Sequence, residues 1–473
     1  MNILLIILII YFIFSIIIVV IYEHNNLRKI FYWSLLCLFF PPIGFISYVI
    51  FGNNLKFKSK QKLLLMQKTT KKYISKTSWF KEYHSTNSNI NSMAEEVKNK
   101  YKFDIWNYNK LKIFISGKDF IYDLIMEIKK AKSNINLEFY IFSDDDTGKL
   151  VAHELIEKAK QGIKINIIYD TIGSNKTKKH FWQNLEKFGI NVYPFFPNTL
   201  NIPHINLKIN HRNHRKLIII DGKIAYTGGI NIRNDHLGIK THLSPWRDTQ
   251  IKIKGPACYS LQDIFLNDFA FVSGNNYTNQ DINKYFPVAK KYGNVSCQII
   301  ESGPEKDVPY IYKIYTDIIN SCHKFLYIQS PYFVIDDNMI NKILYAKKRG
   351  VDVKIIIPKK PDKKLVYGAS LLCLKQLLKN DVDIYLYNGF IHSKTLCTEL
   401  VASIGSCNFD NRSFFLNFEN TCLFYDINII NNNKKIFKND IKNSINLTKK
   451  KYSNLKIKNL LYILLIKLIS KLL

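Results

Sequence analysis

Two stretches decide the fold: INLEFYIFSDDDTGKLVAHELIEKAKQGIKINIIYD over residues 135–170 and FLYIQSPYFVIDDNMINKILYAKKRGVDVKIIIP over residues 325–358. Each reads as a buried apolar strand, an amphipathic helix stopped by a glycine (Gly162, Gly350) and a second apolar strand. A helix is expected before each unit, over 120–132 and 310–322. Strand–helix–strand twice over predicts an α/β protein of two similar halves, each with a parallel-containing sheet covered by helices. The expected halves are 111–292 and 293–446.

Downstream of each unit comes a histidine motif. In NHRNHRKLIIIDGKIAYTGGIN the motif residues are His214, Lys216 and Asp221, followed by Gly228, Gly229 and Asn231. In GFIHSKTLCTELVASIGSCNFDNRS they are His392, Lys394 and Glu399, followed by Gly405, Ser406 and Asn408. One copy of HxKxxxx[DE] would be weak evidence. Two copies, each on an expected β-hairpin after a repeated unit, are a strong signal.

Residues two apart on a strand share a face, so the His and Lys of each HxK project into one pocket. Two imidazoles and two ammonium groups around a shared centre suit phosphodiester chemistry without a metal or other cofactor. One imidazole attacks phosphorus and the other protonates the departing oxygen. Both lysines, with Asn231 and Asn408, would offset the charge gathering on the phosphoryl oxygens. The attacking imidazole needs an acceptor on its second ring nitrogen. The candidates follow the motifs, Asp248 in PWRDTQIKI for the first half and Glu419 in FLNFEN for the second, and each is expected to hold the histidine of its own motif. Five of the seven arginines, Arg212, Arg215, Arg233, Arg247 and Arg412, also lie in or just beyond the motifs. Asp221 and Glu399 fall at hairpin tips beyond the pocket, where a carboxylate would hold turn amides.

The chain has 473 residues and a net charge of +31, from 68 basic against 37 acidic residues. That excess points to an anionic partner: a membrane surface, a phosphate substrate or nucleic acid. Eight cysteines with no CxxC pair and no clustered histidines argue against a disulfide framework or a zinc site. The run 3–22 is long and apolar enough for a membrane span, and no small-residue cleavage site follows it. A second run, 30–50, carries Trp33 and Tyr48 near its ends as interfacial anchors, with Pro41 and Pro42 inside predicting a kink or a re-entrant shape. Residues 1–51 are therefore expected to be a two-span hairpin. Seven lysines between Lys56 and Lys72 put the rest of the chain in the cytoplasm. Residues 52–110 read as a basic polar linker. Residues 447–473 read as a basic amphipathic segment, suited to lie on a membrane or to pack on the body.

The two histidine motifs resemble those of the phospholipase D superfamily. The N-terminal FFPPIGFISYVIFG, together with NLEFYIF, WRDT, YIQSPYFV, GFIHSKT and NFDNRS, is similar to the bacterial cardiolipin synthases over nearly the whole chain. The resemblance implies two α-β-α sandwich halves with one active site between them, preceded by two transmembrane helices in the bacterial cell membrane. It implies a phosphatidyltransferase that joins two phosphatidylglycerols through a phosphohistidine, releasing glycerol, with no cofactor, no metal and no nucleic-acid partner. Carried over by residue, it implicates His214, Lys216, Asp221, Asn231, His392, Lys394 and Asn408. Glu399 departs from the aspartate usual there, and counting back from Gly405 would instead put Thr398 at that place. The competing functions are another phosphatidyltransferase, such as a phosphatidylserine synthase, a phospholipid hydrolase, a nuclease, and an inactive lipid-binding homologue.

Overall fold

The computed structural model describes residues 3–23, 27–51, 88–196, 211–239, 241–274, 284–449 and 452. Residues 52–87 of the expected linker and nearly all of the C-terminal segment lie outside them. The expected linker is not featureless at its far end. Ser88–Tyr101 is a helix that buries Ile90, Met93, Ala94 and Val97 in the core, and Ile105–Phe114 is a strand.

Each half follows one plan. In the first, three parallel strands, Asn134–Phe139, Lys164–Asp170 and Asn191–Phe195, continue into four antiparallel ones, Lys216–Ile220, Ile224–Gly228, Gln250–Lys254 and Ile105–Phe114. In the second, Phe325–Gln329, Asp352–Pro358 and Asp383–Tyr387 are followed by Thr395–Thr398, Ala402–Gly405, Asn417–Phe424 and Val295–Ser302 in the same order. The halves join edge to edge, Ile105 opposite Gln298 and Trp106 opposite Cys297, so one sheet of sixteen strands runs through both. That continuity removes two strand edges that would otherwise be exposed.

The crossover helices begin where an aspartate can cap them. Asp145 accepts from the Gly148 amide for Asp146–Lys160, and Asp336 from the Met339 amide for Asp337–Lys348. They end at Gly162 and Gly350, whose φ of 81° and 89° only glycine adopts without strain, as expected from the sequence. The motif strand Lys216–Ile220 is buried along its whole length because both faces of the sheet are covered. Part of that cover is the helix Cys258–Ser273, buried nearly all round, and its Asp268 is ion-paired to the buried Arg215.

Asp221 and Glu399 prove to be equivalent pins far from the histidines. The Asp221 carboxylate accepts from the amides of Lys132, Ser133 and Asn134 at 2.7–3.2 Å. Glu399 accepts from those of His323, Lys324 and Phe325 at 2.5–3.3 Å. Each ties its hairpin tip to the turn between the preceding helix and the first strand of the unit. Thr398 instead accepts from Leu400 and Val401 within its own turn, so Glu399 is the true counterpart of Asp221.

The N-terminal residues form three helices, Ile3–Glu23, Leu27–Phe39 and Ile43–Phe51. The second expected span is thus broken at Pro41 and Pro42, neither of which can donate a backbone hydrogen bond. The Trp33 and Tyr48 rings meet at 5.3 Å, so the two short helices fold onto each other and the rings do not sit at opposite ends of one span. Gly44 permits the fold: a Cβ there would lie 2.2 Å from the Leu36 carbonyl oxygen. Among the described residues, whose side chains in the first helix run continuously over 6–21, no helix is long and apolar enough to cross a membrane.

The equivalence of the two pins generates a prediction. Asp221→Asn and Glu399→Gln should each lower stability by about 1 kcal/mol, the scale of one hydrogen bond, and leave turnover within a few-fold. Thermal unfolding and turnover of the purified variants check this; a well-folded but crippled Glu399→Gln would contradict it.

Candidate active site

The two histidines enter a common cavity through matching short strand pairs. Arg212–Asn213 runs parallel to Asn417 and Phe418, and the His214 amide donates to the Phe418 carbonyl at 3.0 Å. Phe390–Ile391 runs parallel to Trp246–Arg247, and the His392 amide donates to the Arg247 carbonyl at 2.6 Å. Each pair joins one half to the other. Each sets the histidine beside the carboxylate that follows its bonding partner in sequence.

The carboxylates are therefore exchanged between halves. His214 Nδ1 lies 2.9 and 3.1 Å from the two Glu419 oxygens, and His392 Nδ1 lies 2.6 Å from Asp248 Oδ2. The expectation that each histidine uses the carboxylate of its own half is wrong. With a two-fold repeat, spacing along the chain cannot tell the two pairings apart.

Flanking residues shape each carboxylate. Gly229 makes room for Asp248: a Cβ there would sit 2.1 Å from Asp248 Oδ1. At the equivalent place Ser406 donates its hydroxyl to Glu419 Oε2 at 2.5 Å, and Asn417 donates to Oε1 at 3.3 Å. The lysine ammonium groups sit behind the histidines. Lys216 Nζ donates to the His214 carbonyl at 2.6 Å, and Lys394 Nζ donates to the His392 carbonyl.

Burial dominates the electrostatics. It pushes His214 down to about 4, against the pull of Glu419, and lowers His392 well below the usual imidazole value with help from Lys394. Burial likewise lowers both lysines, Lys394 to about 8, against the attraction of the carboxylates. For Glu419 and Asp248 burial acts upward, but the surrounding His and Lys groups outweigh it and hold both below the carboxylate range. Burial thus favours the neutral form of both imidazoles, and their surroundings favour the ionised form of both carboxylates.

The cavity they face has a volume of about 280 Å³ and is lined from both halves. Asn231 and Asn408 line it together with His214 and His392, as the motif spacing implies. Arg212 and Arg412 reach it from opposite halves, with Tyr140, Trp246 and Phe390 as aromatic walls. Asn408 Oδ1 is buried without a hydrogen-bond partner. Asp221 and Glu399, grouped with the catalytic set on motif grounds, do not line the cavity, for the reason given above.

Sequence reasoning missed His236, which also lines the cavity, its Nδ1 3.4 Å from Asp248 Oδ2. The only trace was its place in NDHL, five residues after Asn231. His236, Asp248 and His392 are the one set of three His, Cys, Asp or Glu side chains close enough, among the described residues, to share a cation. His392 Nδ1 is hydrogen-bonded to Asp248 Oδ2, whereas His236 Nδ1 accepts from the Asn231 amide at 3.4 Å and its Nε2 lies 3.2 Å from Asn231 Nδ2.

Two halves with paired histidines across one cavity define a phospholipase D-type fold. Residues 124–251 and 315–441 match the family model described as "Cardiolipin synthase, PLD-like domain", and residues 7–53 match one described as "Phospholipase_D-nuclease N-terminal". The chain is 37% identical to a cardiolipin synthase of Listeria welshimeri over 441 residues, covering 91% of each chain. It is 36% identical to the major cardiolipin synthase of Bacillus subtilis over 430 residues, covering 89% of this chain and 88% of that one. A crystal structure of the Haemophilus influenzae phosphatidylserine synthase superposes with a TM-score of 0.62 at 15% identity, over 82% of this chain and all of that one, and so shares the fold. The chain belongs to the phospholipase D-like cardiolipin synthase family.

The depressed value of His214 has a consequence for stability. A base whose value is lower in the folded than in the unfolded chain stabilises the fold above its unfolded value, and that stability is lost as pH falls. Between about pH 6.5 and pH 4 the wild type should take up about one proton more on unfolding than His214→Asn. The slope of unfolding free energy against pH in that window measures the difference; equal slopes would contradict it.

Proposed function

We propose that this protein is a cardiolipin synthase, transferring the phosphatidyl group of one phosphatidylglycerol to a second and releasing glycerol. The observation that carries the reading is the pair of imidazoles, each with Nδ1 on a buried carboxylate from the other half, facing one cavity. With Nδ1 so engaged, Nε2 of each ring is the reactive atom.

His214 attacks phosphorus with Nε2 while the bond from phosphorus to the glycerol oxygen breaks. His392, protonated once an anionic phosphodiester offsets the local positive charge, gives its proton to that oxygen. In the return step a hydroxyl of the second phosphatidylglycerol yields its proton to His392 and attacks phosphorus, and the phosphorus–nitrogen bond breaks. Glu419 stabilises the positive charge that develops on His214, and Asp248 does so for His392. Lys216, Lys394, Asn231 and Asn408 supply positive field and donors to the phosphoryl oxygens. No cofactor or metal enters the sequence of steps.

The apolar N-terminal sequence supports contact with a bilayer, since the run 3–22 has Ser15 as its only small polar residue. The Lys-rich stretch after residue 51 supports a cytoplasmic location for both catalytic halves, and the basic C-terminal segment would add contact with anionic lipid.

Purified protein given phosphatidylglycerol alone should produce cardiolipin and glycerol; phosphatidic acid as the only product would make it a hydrolase. His214→Asn and His392→Asn should each cost several orders of magnitude, because nucleophile and proton donor act as a unit. Labelled phosphatidyl trapped on His392 in the His214→Asn protein would reverse the two roles.

The topology has its own test. Cysteines introduced at Asn25 and Ser88 should react with an impermeant reagent from opposite sides of the membrane. Labelling of both from outside would refute it.

A further inference from the structure

Behind the His392–Asp248 pair lies a closed ring of hydrogen bonds between five buried side chains, those of Arg247, Thr249, Ser393, Gln329 and Asp440. Arg247 Nη1 donates to Thr249 Oγ1 at 2.8 Å, and Thr249 Oγ1 lies 2.7 Å from Ser393 Oγ. Ser393 Oγ donates to Gln329 Oε1 at 3.3 Å, and Gln329 Nε2 donates to Asp440 Oδ2 at 2.8 Å. Arg247 Nε closes the ring by donating to Asp440 Oδ1 at 3.1 Å. A guanidinium only donates and a carboxylate only accepts, so each hydroxyl between them accepts once and donates once around the ring.

None of the five lines the cavity, yet three of them flank the reactive pair. Arg247 and Thr249 stand on either side of Asp248, and Ser393 follows His392. Arg247 also holds the backbone of the pair: its guanidinium donates to the Asp248 carbonyl, and its own carbonyl accepts from the His392 amide at 2.6 Å. A matching device serves the other histidine. The Glu419 carbonyl accepts from Arg215 Nε at 3.4 Å, and Arg215 is paired with Asp268 as Arg247 is with Asp440. We propose that Arg247 is a positioning residue, through which the ring fixes Asp248 on Nδ1 of His392 while that imidazole gives and takes the proton of the phosphatidyl transfer. The inference rests on the phosphatidyl-transfer reading. The guanidinium fork reaches Asp440, Thr249 and the Asp248 carbonyl at once, which the single ammonium of a lysine would not.

The full-length enzyme in phosphatidylglycerol vesicles tests it, with total phosphatidylglycerol consumed as the measure of turnover. Arg247→Lys should lower kcat about 10- to 100-fold with KM unchanged, the scale expected when a catalytic group is misplaced by about 1 Å. In an Asp248→Asn background the same change should cost no more than about two-fold, since the carboxylate it positions is gone. An equal loss in both backgrounds, or a raised KM with kcat intact, would overturn the inference. Ser393→Ala opens the ring without stranding a charge, and it decides the case if Arg247→Lys does not fold: kcat should fall several-fold, and an unchanged kcat would count against the proposal. A readout without lipid separates this inference from the function. The 1H–15N signal of the His392 Nδ1 proton, identified by its absence in His392→Asn, should move upfield in Ser393→Ala as the bond to Asp248 loosens. An unmoved signal would sink the inference whether or not cardiolipin forms.

Discussion

The site depends on two short parallel strand pairs that cross between the halves. They bond His214 to the backbone beside Glu419 and His392 to the backbone beside Asp248. Neither half could assemble the centre alone, since each holds a histidine and the carboxylate its partner needs. The continuous sheet through Ile105 and Gln298 fixes the two halves so that the crossings stay in register. The buried Arg215, paired with Asp268 and 4.0 Å from Glu301 of the second half, adds an ionic tie directly beneath the first histidine motif. A buried charge with such partners is costly to break, because removing one group strands the other in low dielectric.

Burial sets the chemistry as well as the geometry. An imidazole in water would be partly charged near neutral pH, whereas burial in this cavity lowers both histidines and favours the neutral ring. The ionised carboxylate on its far nitrogen then lets it take up charge when chemistry demands. The lysines follow the same logic: each is held against a backbone carbonyl below the histidines, close enough to lend field to an incoming phosphodiester.

Much of this was legible in the chain. The apolar strand, the amphipathic helix and the glycine stops at 162 and 350 are local features, and local sterics settle them. The repeat marked two equivalent halves, but His214 and His392 fall between strands, and each lysine of HxK turns to its histidine's carbonyl and does not line the cavity with it. The turn-pinning role of Asp221 and Glu399 followed from their position at hairpin tips. Glu399, in place of an aspartate, reaches the three equivalent amides of its own half.

What only the tertiary structure decided concerns pairings over long distances. The exchange of Asp248 and Glu419 was invisible, since a repeat offers within-half and between-half partners at equal cost in sequence. His236 carries no motif, and its place beside Asp248 and His392 is visible only in the fold. The break at Pro41 and Pro42 was foreseen, but the packing of Trp33 on Tyr48 was not. The sequence by itself determined the strands, the helices and the reactive residue types, because these rest on interactions between near neighbours in the chain. The folded structure chose which carboxylate serves which histidine, because that choice rests on strand pairs joining residues some 140 to 200 positions apart.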